Sequence, residues 1–288
     1  QDELDSQNKK NKTAPFRGLT QKEVDVELNK AMRRSERYRV YTKELGKSKK
    51  EALASFNIKK KMRIFSWNGE VDTIMTPKDS MLYYKKFLRA GVLSIEPQTG
   101  HVKAWVGGID HKYFKYDHAK QGTRQVGSTF KPFVYATAID QLKYSPCDTL
   151  PDAYFCIPEG RHGNLKDWCP KNSDGKYKGM ISLKSALAGS VNTISARLMD
   201  KVGPKNVVKM AHSLGVKSEM PEFPSICLGT PELSLYEMTN AYSTLANMGQ
   251  YIKPTIISRI EDKNGIVLHQ NVPETKDVLS KESAYVSV

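Results

Sequence analysis

A hydroxyl and an amine three residues apart, Ser128 and Lys131, are the pair in this sequence best suited to chemistry. They lie in Arg124-Gln125-Val126-Gly127-Ser128-Thr129-Phe130-Lys131-Pro132. A free serine is a poor nucleophile and needs a base beside it. A lysine serves as that base only when desolvation or a neighbouring cation lowers its pKa. The run Phe133, Val134, Ala136, Ala138 and Ile139 predicts a buried helix whose first turn carries the pair. Positions i and i+3 share a helix face, so both side chains fit one cleft. Pro132 suits a first turn, where a missing N–H costs least, and Gly127 leaves room for a substrate against the backbone. By itself, the same spacing also describes an ordinary helix start with a solvated lysine.

A second polar group changes that balance. Ser190-Val191-Asn192 follows 62 residues downstream, where Gly189 interrupts two helical patterns and leaves Ser190 and Asn192 on the loop between helices. With it the sequence resembles the transpeptidase domain of penicillin-binding proteins, of the bifunctional class A kind, whose signature combines S-x-x-K, S-D-N and K-T-G. The resemblance is carried further by Ile95-Glu96-Pro97-Gln98-Thr99-Gly100, Ala104-Trp105-Val106-Gly107-Gly108, Arg124 to Pro132 and Ala186 to Ala196, in the family's order. It extends from roughly Phe65 to roughly Lys253.

That resemblance implies an α/β (α+β) fold, an antiparallel sheet flanked by helices behind a small N-terminal linker module. It implies a D,D-transpeptidase that cross-links peptidoglycan stem peptides through a serine acyl-enzyme and is acylated by β-lactams, with no cofactor and no metal. Ser128 would be the nucleophile and Lys131 its base. Ser190 would relay the proton to the leaving amine, and Asn192 would bind the substrate amide and help hold Lys131. The Ser128 backbone N–H would be one oxyanion donor, a kind of contact typically worth ~10²–10³ in rate. The family also implies an upstream membrane helix and glycosyltransferase domain, absent from this sequence, a place at the periplasmic face of the bacterial inner membrane, and cell-wall synthesis proteins as partners. One departure matters. No Lys-Thr-Gly occurs, and Lys201-Val202-Gly203 lacks the threonine. In family order that motif follows the hairpin at 266–269, so it is expected beyond Val288 together with its strand.

Composition bounds the alternatives. A chain of 288 residues predicts one large domain and a smaller piece. The net charge is +14, and residues 1–63 hold 18 Lys/Arg against 9 Asp/Glu, so most of the excess lies outside the catalytic region. No zinc-knuckle, RNP-type or basic-region pattern accompanies it. We therefore expect no nucleic-acid partner, and read the basic stretch as a solvated linker that meets anionic lipid or cell-wall polymer weakly. Cys147, Cys156, Cys169 and Cys227 lack zinc-site spacing, and the histidines show no ligand spacing either. The first three cysteines share one loop-rich segment, which permits a disulfide in an oxidising compartment; Cys156–Cys169 is the pairing we expect, with free thiols as the alternative. No signal peptide and no apolar run long enough to span a membrane is present.

In chain order, we expect a basic helical linker over 1–62, a connecting strand and helix over 63–90, and the catalytic domain over 91–288. Residues 1–20 read as polar and mobile, with a break at Pro15-Phe16-Arg17-Gly18. Thr20 and Glu23 predict a capping box for a helix to about Tyr41, and a second helix is expected near 47–55. Arg63 to Trp67 alternates like a strand before Asn68-Gly69, and a helix is expected over 80–89. Val92–Ile95 and His101–Val106 predict a hairpin, and Tyr144–Lys178 a long irregular segment that walls the groove. Helices follow on both sides of Ser190, after Pro204, and after the capping box Ser234–Glu237; a further hairpin spans Thr255–His269, and the tail 271–288 is polar and uninformative.

Three rivals weigh against the transpeptidase. A serine β-lactamase needs a carboxylate-activated water, and no Glu-x-x-Leu-Asn run supplies one; Val191 also replaces the aspartate of S-D-N. A β-lactam sensor would use the same serine, but the class A-like linker and Trp105-Val106-Gly107-Gly108 favour the transpeptidase. A basic nucleic-acid binder would show steep salt dependence.

Overall fold

The computed structural model describes residues 2–10, 14–16 and 18–288. Arg17, within the break expected at 15–18, lies outside them. The chain divides into two compact units, Gln1–Arg89 and Ala90–Val288.

The first unit holds helices α1 (Asp2–Lys10), α2 (Gln21–Arg34), α3 (Glu36–Arg39) and α4 (Lys49–Ala54), strands β1 (Lys60–Ile64) and β2 (Val71–Met75), and helix α5 (Pro77–Lys85). α1 thus replaces the featureless stretch expected before residue 20. Thr20 and Glu23 form the capping box, and Val24, Leu28 and Met32 make the buried stripe of α2. The helix stops at Ser35 rather than running to Tyr41. Ser35 is extended (φ −79°, ψ 152°), and its hydroxyl donates to Met32 O at 2.6 Å while accepting from the Tyr38 N–H. A serine that bonds its own backbone competes with the helix. β1 likewise ends at Ile64, because side chains of α5 take over the backbone of Phe65: Tyr84 Oη accepts its N–H and Tyr83 Oη donates to its carbonyl. α5 starts earlier than expected, capped by Thr76 with Pro77 in its first turn.

In the second unit, β3 (Val92–Ile95) and β4 (Val102–Val106) form the expected hairpin. Then come β5 (Thr123–Gln125), α6 (Lys131–Leu142), β6 (Thr149–Asp152), β7 (Gly179–Ser182), α7 (Leu183–Ala188), α8 (Asn192–Val202) and α9 (Pro204–Ser213). β8 (Glu232–Ser234), α10 (Leu235–Ala246), β9 (Gln250–Ile252), β10 (Arg259–Glu261), β11 (Val267–Gln270), β12 (Thr275–Asp277) and α11 (Lys281–Ser287) complete it. The fold is mixed α/β with every ladder antiparallel, as expected, but the strands pair two by two: β3–β4, β5–β8, β6–β7, β9–β12 and β10–β11. These strands are only three to five residues long, and the β3–β4 hairpin reaches the next segment through a single bridge between His101 and Thr255.

α6 is the centre of this unit. Its residues 133–139 are all buried, so it shows no polar face and must be covered on every side. α8, α9 and α11 pack against it. The tail is therefore structured: β12 pairs with β9, and α11 buries Ala284 and Ser283. Within that run Thr137 satisfies its hydroxyl on Phe133 O at 2.7 Å, whereas the buried Tyr135 hydroxyl has no hydrogen-bond partner among the described residues.

Candidate active site

A 3-10 turn, Gly127–Phe130, runs directly into α6. With three residues per turn, positions i and i+3 eclipse, which sets Ser128 over Lys131 along one edge. The turn is anchored from below. The Gly127 N–H donates to Gly229 O at 2.9 Å, and the Val126 N–H to Pro231 O, continuing the β5–β8 ladder. A Cβ on Gly229 would fall 1.8 Å from Gly127 O, so only glycine fits there. From above, Tyr242 Oη donates to Thr129 O at 2.7 Å. Gly127 itself has φ +57° and nothing within 4 Å of where a Cβ would sit, which leaves the approach to Ser128 open. Ser128 is exposed.

Lys131 is the opposite: 1% exposed, at the first residue of α6. Its Nζ donates to Ser190 O at 2.6 Å, Ser190 Oγ at 3.0 Å and Asn192 Oδ1 at 2.7 Å. Three protons meet three neutral oxygens, with no carboxylate among them. Burial pushes the Lys131 pKa below the ordinary lysine value. The thiol of Cys227, buried nearby, is itself pushed up to about 12 by desolvation, so it stays neutral and puts no anion beside the amine.

Ser190 owes its position to the end of α7. The Ser190 N–H donates to Leu187 O and the Val191 N–H to Ala186 O, the paired bonds of a Schellman turn. The left-handed residue in such a turn is usually glycine, yet here it is Ser190, with φ +53°, and not Gly189. This conformation costs a non-glycine residue roughly 1 kcal/mol or more. It turns both the carbonyl and the hydroxyl of Ser190 toward Lys131.

Of the four residues singled out in the sequence, Lys131, Ser190 and Asn192 form one hydrogen-bonded group, and Ser128 sits one 3-10 turn from the amine with no hydrogen bond to it. Sequence reasoning missed what supports them: Gly229, Tyr242, Asp152 and Asn172. Asn172 and Asp152 fall in the long irregular segment Tyr144–Lys178, which the sequence marks only as a wall of the groove. Cys156 and Cys169 are joined, whereas Cys147 and Cys227 are free. Trp105 donates Nε1–H to Asp117 and lies 5.7 Å from the Tyr236 ring. Among the described residues no cluster of His, Cys, Asp and Glu could hold a metal ion, and no helix is long and apolar enough to cross a membrane.

An exposed serine, a buried amine without a counter-charge, and a Ser–x–Asn turn closing over that amine thus share one site. Residues 90–287 match the family described as penicillin binding protein transpeptidase domain, and residues 11–88 match the penicillin-binding protein middle domain. The chain belongs to the penicillin-binding protein transpeptidase domain family. It is 37% identical over 203 residues to penicillin-binding protein 1A of Aquifex aeolicus (strain VF5), covering 70% of this chain and 27% of that protein. Penicillin-binding protein 1A of Neisseria gonorrhoeae is 36% identical over 199 residues, covering 66% of this chain and 25% of its own length. The chain thus spans about a quarter of these relatives. The crystal structure of penicillin-binding protein 1A from Haemophilus influenzae superposes with a TM-score of 0.62 at 26% identity, over 69% of this chain and 34% of that one. Penicillin-binding protein PonA1 from Mycobacterium tuberculosis gives 0.58 at 26% identity, over 67% and 53%.

Proposed function

We propose that this region is the catalytic part of a D,D-transpeptidase that cross-links peptidoglycan stem peptides. The observation that carries this reading is the Lys131 amine, buried against three neutral oxygens one turn from an exposed serine. Ser128 Oγ attacks the carbonyl between the last two D-alanines, and its proton passes to neutral Lys131. Ser190 hands that proton to the departing amine of the terminal D-alanine, leaving an ester on Ser128. The amine of a second stem then attacks the ester, restoring the serine and forming the cross-link. Asn192 supports both sides, with Oδ1 on Lys131 and the amide beside the substrate. The Ser128 backbone N–H serves the developing oxyanion.

A β-lactam presents the same kind of carbonyl, so it acylates Ser128 and is released slowly. The relatives' class further supports a membrane-anchored parent protein that carries a glycosyltransferase domain, works at the periplasmic face of the inner membrane and meets other cell-wall synthesis proteins. The 1–62, 63–90 and 91–288 division serves it as linker, connector and catalytic domain.

The test is the intact mass of the full-length natural protein after benzylpenicillin, beside Ser128→Ala. One stable adduct, lost in the variant, is expected. A folded protein that takes no adduct overturns the assignment, and an adduct lost within seconds marks a β-lactamase instead.

A further inference from the structure

The long loop between α6 and α7 grips α8 along one face. α8 begins with a deficit: its cap residue, Val191, offers no side chain to the first N–H groups, which must find acceptors elsewhere. Asn172, twenty residues upstream, supplies one. Its Oδ1 accepts from the Asn192 N–H at 3.0 Å and the Thr193 N–H at 3.3 Å. Its Nδ2 donates to Asp152 Oδ1 at 2.7 Å and to Lys176 O at 2.9 Å, so the amide is fixed from both ends.

Asp152 is 1% exposed and also accepts from Thr193 Oγ1 at 2.6 Å and the Lys178 N–H at 2.9 Å. Next to it, Asn192 Nδ2 donates to Lys171 O at 2.9 Å, which leaves Asn192 Oδ1 facing Lys131 Nζ. The grip continues down the helix. The Arg197 guanidinium lies 4.3 Å over the Phe155 ring, and Asp200 meets Arg161 and His162. Residues 193, 197 and 200 recur at i, i+4 and i+7, one face of the helix, and each meets the segment between α6 and α7, Asp200 through Arg161 and His162 inside the ring that Cys156–Cys169 closes.

We propose that Asn172, fixed by Asp152, is a positioning residue for proton transfer at Lys131: it caps α8 from outside the helix and thereby sets where Asn192 Oδ1 meets the amine. The inference rests on the reading of Ser128 and Lys131 as the acylating pair. Its alternative is a bond that holds the fold and nothing more. The two differ in what happens to molecules that remain folded. If Asn192 drifts, Lys131 loses one of three acceptors for its ammonium, and an amine with fewer acceptors gives up its proton more readily. The acid limb of the acylation rate then moves to lower pH, while the rate itself falls because the geometry is lost. The titratable groups around Lys131 are Cys227 and, one turn on in α6, Tyr135. Burial raises both, so neither supplies that limb.

The experiment uses the full-length natural protein and benzylpenicillin. The acylation rate constant per reactive site is followed across pH, and the fraction of reactive sites is measured separately. Asn172→Ala should slow acylation by about 10- to 100-fold, the scale of a misplacement near 1 Å, and shift the acid limb down. Asn172→Asp alone should be slow as well, because it sets a carboxylate against Asp152. Combining Asn172→Asp with Asp152→Asn restores a donor facing an acceptor and should recover most of the rate. Asn172→Ala acting at the wild-type rate with an unmoved limb, and only a smaller reactive fraction, overturns the inference. So does a folded double variant no faster than Asn172→Asp. Wild-type protein that takes no adduct overturns instead the reading of the acylating pair.

Discussion

Lys131 and Asp152 are two buried ionisable groups, each 1% exposed, but they answer burial in opposite ways. Lys131 meets three oxygens that carry no charge, and desolvation wins: its pKa falls, and the protein weakens its hold on the proton. At Asp152 desolvation alone would raise the pKa. Hydrogen bonds from Thr193, Asn172 and the Lys178 backbone outweigh it, and the pKa falls, so the carboxylate is held ionised. The same direction of shift therefore has two meanings. In the proposed role it leaves the amine available as a base, and it makes the carboxylate a permanent fixture. One charge is held loosely beside an exposed serine, and the other is locked in place by its donors.

The largest effect expected from breaking this contrast is on Lys131→Met. The acylation rate constant should fall about 10²- to 10⁴-fold, the usual worth of a positioned base. Thermal stability should hold or rise, because an apolar chain replaces a buried amine that has no counter-charge. An unfolding temperature that drops as far as in Asp152→Ala would remove the distinction.

Asp152→Ala comes next, with a loss of about 3 kcal/mol in urea unfolding, since three donors, the buried Thr193 hydroxyl among them, are left without their acceptor. The sign with pH follows from its lowered pKa. The Asp152 contribution is present above the ordinary aspartate value near ~3.9 and disappears as pH falls through the folded value. The variant should therefore lose less stability on acidification than the wild type; an identical acid profile would mean that Asp152 is not held ionised.

The smallest effect is on Ser190→Gly. Glycine relaxes the left-handed turn and should raise stability by up to about 1 kcal/mol, whereas loss of Oγ slows acylation. If stability drops, the hydroxyl rather than the backbone carries the turn.

What could be read in the sequence was local. Ser128 and Lys131 are three apart, the apolar run of α6 follows at once, and both capping boxes, Thr20–Glu23 and Ser234–Glu237, span three residues. The β3–β4 hairpin closes over a turn whose residues announce it. Ser190 and Asn192 are legible only through the resemblance to the family, since 59 residues separate Ser190 from Lys131. Asp152 escaped notice because its partners lie 20 to 41 residues away, in a segment without periodicity. Even a local bond escaped at Ser35, because the same residue type serves inside helices and at their ends. The tail at 271–288 looked polar in composition, and its structure comes from partners, β9 and α6, that no window around it contains.

The grip on α8 also bears on how this chain can change over generations. Leu165, 89% exposed within the disulfide-closed stretch, can drift at little cost, and substitutions there would accumulate as neutral variation. Asp152 and Asn172, in the same stretch between α6 and α7, have no such freedom, because Asn172 joins Asp152 to the first turn of α8. One stretch of chain therefore contains both freely replaceable and fixed positions.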